Sequence, residues 1–207
     1  MLAGKRGRLG RCAGTRCAPR AFTLIELLVV IAVMVLLIGI TVPAMSEARR
    51  ISKRTVCGTN LHSIGQAVQA YLSAHNDRYP FVKGWPNDDT TSYPPIQDAF
   101  KKEVSGSREV FRCPADFVVD DPACTKPTYW ESVGTSYEWE TFFNGKRAGR
   151  DLVLMKTSGA SLTYKPWAAP LVYDFKLFHG KRNQVGAMMT LYADFHVQPD
   201  RSKLGEP

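Results

Sequence analysis

Residues 27–46 form a run of 20 positions without a single charged side chain, most of them in LLVVIAVMVLLIGITVPAM. A helix rises about 1.5 Å per residue, so this run is long enough to cross the roughly 30 Å hydrocarbon layer of a bilayer. Composition enters through the flanks. Lys5, Arg6, Arg8, Arg11, Arg16 and Arg20 all precede Phe22 and no acid does; setting those six aside leaves 21 bases against 19 acids, so the remainder carries only +2 of the formal +8. Basic residues beside a span stay on the cytoplasmic side, which predicts the N-terminus inside and the bulk of the chain outside. The same distribution argues against a nucleic-acid partner, because the excess charge sits in a short tail rather than on a folded face. An apolar fraction of 44% with 11% aromatics is enough to bury a core and excludes a wholly disordered chain.

Two simpler readings compete with a working membrane helix. One is a secretory signal peptide cut after Val42-Pro43-Ala44, releasing a soluble protein from Met45; the apolar run is longer than such segments usually are. The other is a plain anchor. Glu26 separates them, because a carboxylate at the edge of hydrocarbon needs a partner and no Lys, Arg or His follows within the next 20 residues. A cut just before Phe22 would supply one: a free α-amine four residues away, about one helical turn, on the same chain or a neighbour.

The order Arg20-Ala21-Phe22-Thr23-Leu24-Ile25-Glu26-Leu27-Leu28-Val29-Val30-Ile31 after a basic leader resembles the processing motif of type IV prepilins and type II secretion pseudopilins. The resemblance implies cleavage between Ala21 and Phe22 by a prepilin peptidase, N-methylation of Phe22, and pairing of Glu26 with the amine of an adjoining subunit. It implies as partners other pilin or pseudopilin subunits, the inner membrane and a secretion or pilus assembly machinery. The implied location is a single-pass inner-membrane protein with a periplasmic or extracellular head. Family members usually carry Gly before the scissile bond, where this chain has the small Ala21. Pro43 stands where they often have a helix-loosening proline.

Beyond the span, Leu61, Ile64, Val68, Tyr71 and Leu72 repeat at helical spacing, giving an apolar face that can cover a globular body. Asn76, Asp77 and Pro80 end the helix, and Gly58 and Gly65 weaken it locally. Residues 57–80 resemble the stretch after the span in pseudopilin-like proteins. Residues 97–102 suggest a short helix, and 136–143, 151–155, 170–175, 188–193 and 196–198 suggest strands. Asn144-Gly145 reads as a hairpin turn. Short loops favour antiparallel pairing. The expectation is an α+β fold: a leader over 1–21, a transmembrane and assembly helix over 22–45, its outer half over 46–78, and a small antiparallel β head over 79–207.

In an oxidising compartment Cys113 and Cys124 are the first candidates for a disulfide, with Cys57 and Cys113 second. Asp174, His179, Asp194 and His196 are close enough in sequence to converge on a cation or a proton-transfer pair, but Asp-x-His in a hairpin is more often turn chemistry, and there is no C-x-x-C. No metal, cofactor or catalytic residue is expected. Residues 179–197 resemble the C-terminal signature of the pseudopilin-like group, which usually reads Asp-Gly-His; Phe195 replaces that Gly and would strain a turn needing positive φ. The four bases from Arg49 to Arg54 read as a solvated helix face, and Trp85, Trp130, Trp139 and Trp167 mostly as core. The leading expectation is a structural filament subunit and not an enzyme. The alternatives are a tethered or secreted module binding carbohydrate or DNA through its aromatics and bases, and an anchored hydrolase using the Asp and His residues.

Overall fold

The computed structural model describes residues 22–85, 91–118, 121, 124–149, 152–155, 161–180 and 186–199. The chain divides into two compact units, Met1–Ala44 and Met45–Pro207, and helix α1 (Leu24–Ala74) contributes to both. In the first unit the described side chains from Phe22 to Val42 are all exposed, and the helix is long and apolar enough to cross a membrane.

In the second unit α1 turns a stripe of residues inward. Cys57, Leu61, Ile64, Val68 and Leu72, spaced four, three, four and four apart, are all buried, while Tyr71 is half-buried at the margin. This is the predicted amphipathic face, extended one turn toward the N-terminus by Cys57. It packs on a four-stranded antiparallel sheet of order β1-β4-β5-β6, formed by Tyr137–Trp139, Pro170–Asp174, Met189–Tyr192 and Val197–Pro199. Gly58 and Gly65, seven residues apart and so on one face of α1, mark the closest approach. A Cβ at Gly58 would stand 3.3 Å from Met189 Cε, and one at Gly65 would stand 3.1 Å from Leu191 Cδ1. The two glycines that weaken the helix in isolation therefore bring β5 against it.

The sheet joins distant parts of the chain. β1 pairs with β4 through Tyr137–Asp174 and Trp139–Val172, and β4 with β5 through Pro170–Tyr192 and Tyr173–Thr190. A separate two-stranded ribbon joins β2 (Leu152–Met155) to β3 (Ser161–Tyr164). Two short helices, α2 (Ile96–Ala99) and α3 (Tyr129–Val133), also belong to the described part of this unit. Thr128 caps α3 by accepting from the Glu131 N–H, and Gly134 ends it at φ +84.

The Asn144-Gly145 hairpin does not form. Only Tyr137–Trp139 of the predicted strand is extended, and Thr141–Phe143 turns into a 3-10 helix. The physical reason lies in the Asn144 side chain, which turns inward: its Oδ1 accepts from Trp139 Nε1 (2.9 Å) and Val82 N (3.2 Å), and its Nδ2 donates to Val82 O (2.9 Å). Gly145, at φ +69, donates its N–H to Tyr79 O (3.2 Å). The pair thus clasps the chain after α1 instead of reversing β1.

Candidate functional site

Two groups of functional side chains stand out, one in each unit. At the start of α1, Thr23 and Glu26 form a reciprocal cap. Thr23 N and Oγ1 both donate to Glu26 Oε2, at 2.9 and 2.8 Å, and Glu26 N donates back to Thr23 Oγ1 at 3.3 Å. This is a T-x-x-E capping box, whose signal in the sequence is the Thr23-Leu24-Ile25-Glu26 spacing, so the carboxylate has a local partner besides any cation or amine. Both Thr23 donors converge on Oε2, and Oε1 accepts nothing from the described residues. Phe22 is 72% exposed, and the apolar residues after it are uncovered. Ala21 lies outside the described residues.

The second group lies inside the head. Cys57 on α1, Cys113 after a 3-10 turn (Arg108–Phe111), Asp174 at the end of β4 and His179 beyond it bring four donor atoms to within 4.8 Å of one another. All four residues are buried. The Cys57 thiol donates to Asp174 Oδ1 (3.1 Å) and contacts Tyr137 Oη (3.3 Å), and Cys113 Sγ meets His179 Nε2 (3.3 Å). Asp174 Oδ2 accepts from Met189 N (2.7 Å) and lies 3.4 Å from His179 Nε2. Four donors of this kind suit a soft divalent cation.

The expected Cys113–Cys124 pair is not joined in the structure. Cys113 and Cys124 remain free thiols. Cys113 is held in the core against His179, whereas Cys124 is half-buried and donates from its backbone N–H to Asp121 O (3.1 Å). Of the four Asp and His residues near enough in sequence to converge, Asp174 and His179 share a site. Asp194 and His196 pair with each other in the exposed turn at the other end of β5, where His196 Nδ1 bonds Asp194 Oδ1. Phe195 adopts φ +69 in that turn, as expected for a residue standing in for Gly.

The basic stretch is more structured than a solvated face. Arg50 pairs with Glu47 (2.6 Å) and donates to His179 O (3.1 Å), and Arg54 Nε approaches Met189 Sδ (3.4 Å). Among the tryptophans, Trp139 is buried in the core, Trp85 and Trp130 are half-buried, and Trp167 is exposed.

Burial sets the electrostatics of the inner group. It pushes the Asp174 carboxyl up to about 7, with the Met189 N–H and the Cys57 thiol opposing the shift. It pushes His179 down to about 4, aided by Arg54, Arg50 and Lys53. The Asp174–His179 contact is therefore between a neutral acid and a neutral imidazole over the interval between those values. The two groups pull stability in opposite directions. Asp174, raised from 3.8, contributes stability that is fully present below 3.8 and lost as pH rises through about 7. His179, lowered from 6.5, contributes stability present above 6.5 and lost as pH falls toward about 4. Their slopes offset between about 4 and 6.5, leaving a net fall as pH rises above that interval. Thermal denaturation in chelator-containing buffers should show a plateau followed by a falling melting temperature. In His179→Gln the opposing slope is gone, so the fall should begin near the lower end of the plateau.

A long apolar N-terminal helix with a carboxylate in its first turn, followed by a small antiparallel sheet, is the α+β architecture of pilin-like proteins. Residues 17–42 match the family model described as Prokaryotic N-terminal methylation motif, so the chain carries the prepilin-type cleavage and methylation motif. That match ends well before the head, and no curated protein and no solved structure matches the chain.

Proposed function

We propose that the chain is a structural subunit of a type II secretion or type IV pilus-like filament, delivered to the inner membrane with its leader in the cytoplasm. A prepilin peptidase cuts between Ala21 and Phe22 and methylates the new amine. The observation that carries this reading is the methylation motif at residues 17–42 on an apolar helix whose described side chains are uncovered. Lipid tails are as apolar as these side chains, so moving the helix from lipid into a bundle gains little from burial, and close packing with polar pairing must set register. Glu26 suits that task. Thr23 holds one carboxylate oxygen, leaving Oε1 to receive the amine of a neighbouring Phe22. Nothing in this scheme calls for catalysis by the chain itself. Sequencing the N-terminus of membrane-extracted protein tests the reading: N-methylated Phe22 is expected, and Met1 or Met45 would overturn it.

A further inference from the structure

The proposed assembly through α1 makes no use of the inner group of the head, which places two thiols, a carboxyl and an imidazole around one point. We propose that Cys57, Cys113, Asp174 and His179 bind a single zinc ion, or another soft divalent cation of the same geometry, as a structural centre of the head. A tetrahedral zinc with bonds of about 2.0–2.3 Å has ligand-to-ligand edges of about 3.3–3.8 Å. The separations of 3.3 Å from Cys113 Sγ to His179 Nε2 and 3.4 Å from His179 Nε2 to Asp174 Oδ2 match those edges, Cys57 Sγ lies 3.1 Å from the other Asp174 oxygen, and one donor atom from each of the four residues falls within 4.8 Å of the rest.

The surroundings fit a metal better than they fit a disulfide. Linking Cys57 to Cys113 would remove both thiol hydrogens, so Asp174 would lose the Cys57 donor and His179 would face a sulfur that can no longer donate. A cation instead engages all four. Its outer contacts are already in place: the Met189 N–H donates to Asp174, and Tyr137 Oη lies against the Cys57 sulfur. Binding forms two metal–sulfur bonds, one metal–nitrogen bond and one metal–oxygen bond, and the thiol and carboxyl protons pass to water. Two thiolates, one carboxylate and a neutral imidazole around a divalent ion leave one net negative charge. Arg50 and Arg54 on α1 approach the same region, at His179 O and Met189 Sδ, and complement it. An open cleft lined by Arg50, Lys53, Phe117, Phe178 and His179 gives an approach from solvent. The four ligands come from three segments, α1, the chain after Arg108–Phe111 and the end of β4 with the residues just beyond it, so the ion would fasten α1 to the sheet from within.

The test uses the full chain, extracted in detergent, reduced, stripped with a chelator and titrated anaerobically with Co²⁺. The expected result is one equivalent per chain, with intense visible bands of a tetrahedral ion and a sulfur-to-cobalt charge-transfer band of two-thiolate intensity, all displaced by Zn²⁺. Cys57→Ser and Cys113→Ser should each lose the two-thiolate band, whereas Cys124→Ser should keep it. Should either core variant fail to fold, the wild-type titration still decides: no charge-transfer band, or one of single-thiolate intensity, overturns the proposal. So does a Cys57–Cys113 cross-link in the protein as isolated, seen as the loss of two hydrogens in the intact mass. None of these readouts depends on filament assembly.

Discussion

Chains carrying Glu26→Ala are expected to enter the membrane and lose their leader as the wild type does, but to fall out of the filament fraction by more than about tenfold. The substitution removes both the cap on α1 and the carboxylate offered to a neighbouring amine, so a companion variant is needed to separate them. Glu26→Gln keeps an oxygen that can accept from Thr23 N and Oγ1, the two bonds at 2.9 and 2.8 Å, while discarding the charge. If pairing with the amine sets register, both variants fail; if the cap is all that matters, Gln assembles normally and the amine pairing is refuted. Sheared-filament yield beside N-terminal sequencing of the membrane pool makes the comparison, because a processing defect would show as retained leader in the second measurement.

Trp139→Ala should abolish the cooperative unfolding transition of the head or bring it close to working temperature. Trp139 is 1% exposed, its ring packs at 5.6 Å from Phe100 and 6.1 Å from Tyr79, and its Nε1 donates to Asn144 Oδ1. Truncating so large a buried side chain costs about 3–5 kcal/mol, a large share of the roughly 5–15 kcal/mol that holds a domain together. The loss also strips Asn144 of one partner in its clasp on Val82. Residues 27–46 are untouched, so membrane association should persist while the head becomes sensitive to limited proteolysis. A melting temperature within a few degrees of the wild type would refute this account of the core.

What could be read from the residues was local. The spacing of Leu61, Ile64, Val68 and Leu72 gave away the buried face of α1, because helical periodicity is written within a few turns. β4 and β5 are likewise visible as short apolar runs rich in strand formers, over 170–175 and 188–193, each containing the observed strand, Pro170–Asp174 and Met189–Tyr192. The strand β3 escaped notice because Ser161–Tyr164 is half polar and short, and its partner is supplied by β2 across a connection with no apolar pattern of its own. Asn144 misled because a residue suited to a tight turn is equally suited to a buried clasp, and only tertiary context chooses between them. The inner thiol, carboxyl and imidazole group lay furthest out of reach: Cys57 meets Asp174 across 117 positions and Cys113 meets His179 across 66, with no short-range spacing to announce either contact. The Thr23 cap is the opposite case, local and legible, since its partner Glu26 stands three residues away.

The left-handed turn at Phe195 has a counterpart on the facing helix. A Cβ at Gly65 would come within 3.8 Å of Phe195 Cδ1, so the bulky ring leans toward the position where α1 lacks a side chain. The ring thus rests at van der Waals distance from a helix position that is kept clear chiefly by Leu191 Cδ1, 3.1 Å from the same point. Glycine at 195 would relax the backbone yet remove the ring that lines the seam beside Gly65, so the strain at this turn and the packing on α1 are traded against each other in one side chain.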